Sequence, residues 1–178
     1  SGEIYAGSTL PYVLTPLLES RVTQSGSGQA AADRSIFLES ANVTLSATAS
    51  GSTTSTPLGS GFSVPVSGTL PASGTISVSF PILPVSDLSS LNTGSAETEV
   101  VANVQVIGRL GDGEVKSEPF IYGITVCPSG AACVVNDLGA CSTTTTASNM
   151  GNPCNMFQDG TVDCCDGSAG LVCPATAQ

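Results

Sequence analysis

Apolar residues alternate with small or polar ones over much of the chain up to position 126, and a period of two marks a strand with one buried face. The alternation is clear at Phe62, Val64 and Val66 and again at Ile76, Val78, Phe80 and Ile82, so the turn-forming residues at 71–74 predict a hairpin between these runs. It returns at Val100, Ala102, Val104, Val106, Gly108 and Leu110. There the Gly111-Asp112-Gly113 step predicts a second hairpin returning over 114–126, with Phe120, Tyr122, Ile124 and Val126 facing inward. Ile36, Phe37 and Leu38 lead into Ala41, Val43 and Leu45 with a change of phase at Ser40, the mark of a strand carrying a bulge. Pro84 ends the preceding strand, and Val85, Leu88 and Leu91 at helical spacing predict one or two helical turns.

Elsewhere the periodicity fades. The apolar stretch at 10–18 is broken by Pro11 and Pro16, which argues against one continuous helix and predicts an extended arm or first strand. A Ser/Gly/Gln/Ala-rich run at 24–32 reads as a loose linker, and the Ser/Thr/Gly/Ala-rich stretch at 46–60 as a long loop. The chain therefore divides into an arm and linker at 1–35, a β-body at 36–126 and a cysteine-rich module at 127–178. Short strands between Gly, Pro and Ser turns give an all-β class, and the expected architecture is an antiparallel β-sandwich. With no tryptophan and no cysteine before Cys127, its immunoglobulin likeness is architectural only.

All seven cysteines lie in the last third: Cys127, Cys133, Cys141, Cys154, Cys164, Cys165 and Cys173. The chain has no histidine and no Cys-x-x-Cys pair, so zinc and haem attachment are poor readings, and disulfides in an oxidising compartment are the expectation. The rest of the module is mostly Gly, Ala, Asn, Asp, Ser and Thr, too little large apolar surface to hold about fifty residues by burial alone. Seven is odd, so three intrachain bridges and one leftover thiol are expected. The vicinal Cys164-Cys165 pair is expected to reach two different partners, and spacing does not fix the connectivity.

Composition narrows the partners. Charged residues make up 10% of the 178, the formal net charge is -10, and Lys116, Arg21, Arg34 and Arg109 are the only cations. With no basic patch, nucleic acid and anionic membrane surfaces are disfavoured. No apolar run approaches the length of a spanning helix. No signal peptide is visible at Ser1, so either the sequence is a mature form or export is to be inferred from elsewhere, and the cysteines supply that inference.

The residues with catalytic potential are few. Without histidine, Ser-His and Cys-His nucleophile pairs are excluded. A Ser-Lys dyad would depend on Lys116, which sits beside Glu114 and Glu118 and reads as a solvated strand lysine. Glu97 and Glu99 at a strand start would project on one face about 6 to 7 Å apart, a glycosidase-like separation. The scarcity of aromatic platforms favours a solvated acidic strand end instead. Asp159, Asp163 and Asp166 beside Asn155 and Gln158 form an oxygen-rich stretch of the kind that calcium loops use, yet no EF-hand spacing is present, and Asp159-Gly160 and Asp166-Gly167 are ordinary turn steps. The Asn42-Val43-Thr44 sequon falls inside an expected strand and is read as chance. The Thr-rich run at 142–148 is read as an exposed loop open to O-linked sugar. No cofactor and no metal is expected.

Three stretches together carry a resemblance: Phe62-Ser-Val-Pro-Val-Ser-Gly-Thr-Leu-Pro through Ile82-Leu-Pro, the Gly108-Arg-Leu-Gly-Asp-Gly-Glu-Val-Lys-Ser-Glu-Pro-Phe hairpin, and Cys154-Asn-Met-Phe-Gln-Asp-Gly-Thr-Val-Asp-Cys-Cys. The chain resembles uncharacterised exported bacterial proteins, often lipoprotein-like, that place a β-domain before a cysteine-rich C-terminus. The resemblance implies a cell-envelope or outer-surface location and no activity. Unlike a lipoprotein, the chain carries no N-terminal cysteine for a lipid anchor. The body is also similar to sandwich domains of the late-embryogenesis-abundant type, a likeness of fold alone.

These readings converge on a non-enzymatic envelope or extracellular protein that assembles with protein partners, as an accessory subunit of a surface complex or a filament subunit. In that reading the N-terminal arm adds a strand to a neighbour. The alternatives are a module that binds protein or carbohydrate through loops and, more remotely, a carboxylate-dependent hydrolase.

Overall fold

The computed structural model describes residues 1–23, 34–91, 96–128, 133–142, 147–168 and 170–174. The linker stretch at 24–32 and the central part of the Thr-rich run lie outside these residues. The elements are β1 (Gly2–Tyr5), β2 (Tyr12–Leu14), β3 (Leu17–Glu19), β4 (Ile36–Ala49), β5 (Thr56–Leu70), β6 (Thr75–Ser77), β7 (Phe80–Leu83), α1 (Val85–Ser90), β8 (Thr98–Leu110), β9 (Gly113–Lys116), β10 (Phe120–Cys127), β11 (Val135–Ala140), β12 (Val162–Gly167) and β13 (Gly170–Val172). The protein is all-β, with one six-stranded sheet in the order β1-β10-β8-β4-β5, β9 also pairing with β8, and three small sheets, β11-β12-β13, β2-β7 and β3-β6.

The long strands follow from the alternation. On β8, Val100, Ala102, Val104 and Val106 are buried, and on β4 Ala41, Val43 and Leu45 are buried opposite them. The bulge expected at Ser40 interrupts the ladders of β4 with both β5 and β8 between Leu38 and Ser40. The hairpin at 111–113 also forms, but its return is split: β9 pairs with Ile107–Leu110, and β10 runs along 98–104 of the same strand. Between them Ser117 stitches the gap, its N–H donating to the Val106 carbonyl at 2.8 Å and its hydroxyl accepting the Val106 N–H at 2.9 Å. The expected helical turns are α1, whose Leu88 is buried in the core.

Two expectations are corrected. The hairpin between 62–66 and 76–82 does not form: β6 pairs with β3, and β7 pairs with β2. The N-terminal segment captures the turn instead, as the Ser20 N–H donates to the Gly74 carbonyl and the Ser73 N–H to the Val22 carbonyl, both at 2.9 Å. The long loop expected at 46–60 shrinks to residues 50–55, because β4 stays in register with β8 as far as Ala49 and Thr98 and so offers β5 a partner at Leu45, Ser46 and Ala47. Gly59 (φ +66°) and Gly61 (φ +80°) absorb the resulting irregularity in a left-handed conformation that glycine adopts without a Cβ clash. Within its sheet β5 pairs only with β4, and Pro57, Pro65 and these glycines make its outer edge a poor template for another strand.

Residues 1–23 lie against the body rather than projecting from it. β1 runs parallel to β10, with Gly2 beside Ile124 and Tyr5 beside Cys127. Ile4, Tyr12 and Leu14 are buried in the same core as Phe80, Ile82, Leu83 and Leu88, which covers the inner face of the broad sheet. The C-terminal module has a core of its own, only Val134, Val135, Val162 and Cys164, with Tyr5, Met156 and Phe157 among the side chains packed on it. Three disulfides hold it: Cys127–Cys133, Cys141–Cys165 and Cys164–Cys173. Cys154 is the free, exposed thiol. Three bridges, one leftover and divergent partners for the vicinal pair are as the sequence leads one to expect.

Candidate functional site

The chemically dense region is a loop of the C-terminal module, residues 148–163, here the clasp loop, closed at its base by Asp163 and gripping the N-terminal strands with its tip. Asp163 lies on β12 in register with Asn136 of β11 and is 2% exposed. Its Oδ2 accepts the Ser148 N–H (2.7 Å), the Ser148 hydroxyl (2.9 Å) and the Asn149 N–H (2.9 Å). Its Oδ1 accepts the side-chain amides of Asn136 (2.8 Å) and Asn149 (3.2 Å). The Asn136 amide and then the Asn149 and Ser148 donors hold the carboxyl well below the usual carboxylate range.

At the tip, Gln158 brackets one residue of β2. Its amide nitrogen donates to the Val13 carbonyl and its amide oxygen accepts the Val13 N–H, both at 2.8 Å, as a neighbouring strand would. Asn155 donates to the Pro11 carbonyl at 3.1 Å and accepts the Phe157 N–H at 3.1 Å. Asp159 accepts the Tyr12 hydroxyl at 2.6 Å, the Glu3 N–H at 2.8 Å and the Gln158 amide at 3.1 Å. Tyr12 is 1% exposed, its hydroxyl also meets that of Tyr122 at 3.0 Å, and burial, then the Asp159 bond, pushes the phenol far above its usual value.

β1 consequently has a partner on each side. One edge pairs with β10. On the other, the Tyr5 N–H donates to the Phe157 carbonyl at 3.1 Å, the Asp159 N–H donates to the Glu3 carbonyl at 3.0 Å, and Ile4 bridges to Gln158. Its side chains divide in the same way, Ile4 entering the body core and Tyr5 packing on the module core, where its ring lies 5.4 Å from that of Phe157. β1 is thus a strand shared by two small cores.

The other residues singled out in the sequence are scattered. Glu97 and Glu99 are both exposed at the start of β8, Glu99 flanked in register by Thr48 and Thr125. Lys116 is paired with Glu114 at 2.9 Å on the surface, and Arg109 with Glu39 at 3.1 Å. Asn42 and Thr44 are exposed on β4. The oxygen-rich stretch is brought together only in part: Asp159 serves the tip of the loop and Asp163 its base, each carboxylate filled by N–H and O–H donors, while Asp166 is exposed. Among the described residues no three His, Cys, Asp or Glu side chains are grouped to hold a metal ion.

Two of the open cavities formed by the described residues lie beside these elements. One, about 590 Å³, lies within the clasp loop against Ser148, Asn149 and Thr161. The other is a groove of about 560 Å³ between residues 17–22 and 115–118, floored by Ile36, Leu38, Leu70 and Val106. Among the described residues no helix is long and apolar enough to cross a membrane.

In the sequence Asn155, Gln158 and Asp159 show only as an oxygen-rich stretch, and what they bind is set by the fold. Tyr12 and Tyr122, two of only three tyrosines, were a signal that a buried hydroxyl would seek a polar partner. No family model, no curated protein and no solved structure matches the chain.

Proposed function

We propose that this is a non-enzymatic cell-envelope or extracellular protein that works by assembling with protein partners, and that residues 1–23 are the segment through which it does so. The carrying observation is the pairing of that segment: β1 joins β10, β2 joins β7 and β3 joins β6, and none of the three pairs with another. Each strand of the segment pairs with a strand of the body, while the 155–159 loop grips β1 and β2 from the other side, so a second copy's identical segment satisfies the same three ladders. A sandwich-like body, a broad sheet faced by ribbons, suits this role because its far edge at β5 is blunted. The three disulfides support an oxidising compartment.

Two variants in a Cys154→Ser background test the reading. Glu3 and Thr125 are register neighbours across β1 and β10. Chains carrying Glu3→Cys mixed with chains carrying Thr125→Cys form a disulfide-linked heterodimer if the segment exchanges. No cross-link, together with a light-scattering mass that stays at 17.6 kDa at high concentration, would overturn it. The apolar groove favours a second reading, a module that binds a protein or carbohydrate ligand; a screen against peptides and glycans decides that one.

A further inference from the structure

We infer that the disulfide-stapled module is a redox-controlled latch on the N-terminal segment: its oxidised form closes over β1 and β2, and its reduced form lets them go while the β10-β8-β4-β5 part of the broad sheet persists. The inference rests on the reading above for its purpose, since a segment to be shared must first be released. Its geometry stands independently.

The chain of dependence runs through named atoms. Cys141–Cys165 and Cys164–Cys173 both anchor β12, the strand that carries Asp163. The Asp163 carboxylate fixes Ser148 and Asn149, and so closes the base of the clasp loop. The loop tip then supplies the acceptors for three N–H groups of the N-terminal segment: Asp159 Oδ1 for Glu3, the Phe157 carbonyl for Tyr5 and Gln158 Oε1 for Val13. Apolar burial in the module adds little to this arrangement. Its fully buried core is three valines and Cys164, itself a bridge member, and small cores of this kind depend on covalent staples. The body differs in kind, with Val43, Val100, Ala102, Val104, Ile82 and Leu83 buried in a cluster that contains no disulfide.

The step balances as an ordinary reduction. A trialkylphosphine takes oxygen from water and becomes the phosphine oxide, and its electron pair with the two protons of that water converts one disulfide to two thiols. Three equivalents open the three bridges.

Amide hydrogen exchange on the full-length chain, with and without tris(2-carboxyethyl)phosphine, tests the latch. Reduction is expected to speed exchange at Glu3, Tyr5 and Val13 by at least about tenfold while β4 and β8 keep their protection. Reoxidation is expected to restore it. Unchanged exchange at the three amides overturns the inference, and so does collapse of protection across β4 and β8 together with them. A second arm keeps the bridges intact. Gln158→Ala with Asp159→Ala, which removes the side-chain acceptors of the Val13 and Glu3 N–H groups in oxidised protein with six cysteines verified as bonded, is expected to free those two amides; if it leaves both protected, the loop tip is not the latch and the inference fails. Both arms read one chain in isolation. A working latch with no Glu3–Thr125 heterodimer would therefore remove the assembly reading and leave the latch standing.

Discussion

The Asp159 carboxylate accepts the hydroxyl of Tyr12 at 2.6 Å, joining the cysteine-rich module to a fully buried ring of the N-terminal segment across almost the whole length of the chain. Around that bond the two halves of the protein are stitched by polar contacts, and the consequences are measurable.

Tyr12→Phe removes the hydroxyl and leaves Asp159 short of one donor, at a cost of about 1 to 3 kcal/mol. It also changes the alkaline limb. The folded phenol titrates above its unfolded value near 10, so its contribution to stability is complete below about pH 10 and is lost as pH rises beyond. Melting temperatures taken between pH 9 and 11 are expected to fall more steeply for the wild type than for Tyr12→Phe.

Gln158→Ala leaves the Val13 N–H and carbonyl without their bracket. The expected loss is about 1 to 2 kcal/mol, or roughly 2 to 8 °C in Tm for a chain of this size. Thermal denaturation followed by circular dichroism checks it, and Gln158→Glu is expected to recover little, since a carboxylate cannot donate to the Val13 carbonyl.

Asp163 governs the acid limb. Its folded value lies below the ordinary 3.8, so the stability it contributes is present above about pH 4 and is lost as pH falls toward the folded value. Asp163→Asn turns an amide N–H₂ toward the donors of Ser148 or Asn149. It is expected to melt lower at neutral pH and to show a flatter decline between pH 4 and 2 than the wild type.

Thiol titration should find one reactive group, Cys154, in the native protein and the same single group after denaturation without reductant. Cys154→Ser is expected to show none and to melt within about 0.5 kcal/mol of the wild type, because the side chain is exposed.

Several features are legible from the residues because their causes are local. The Ser40 bulge is a break in phase visible over a few positions; α1 follows from Pro84 and the Val85, Leu88 and Leu91 spacing; the 111–113 turn follows from glycine and aspartate chemistry. The bonding of six cysteines and the sparing of one follow from an odd count without histidine. By contrast, Ile76 and Phe80 alternate as any half-buried strand would, and alternation specifies a face, not a neighbour. The same ambiguity made 46–60 read as a loop, where a long partner strand imposes extended structure on a sequence of weak preference.

The sequence by itself determined the class of structure, the bonded state of the cysteines and the division of labour between a body held by burial and a module held by sulfur, because these depend on composition and on spacing along the chain. Only the tertiary structure decided that the first twenty-three residues complete the body, that β1 lies between two cores, and that Asn155, Gln158 and Asp159 serve as the grip between them. Hydrogen bonds are short and directional, so a pairing such as Val13 with Gln158 exists only once the intervening chain has folded, and nothing in either residue's local sequence announces it.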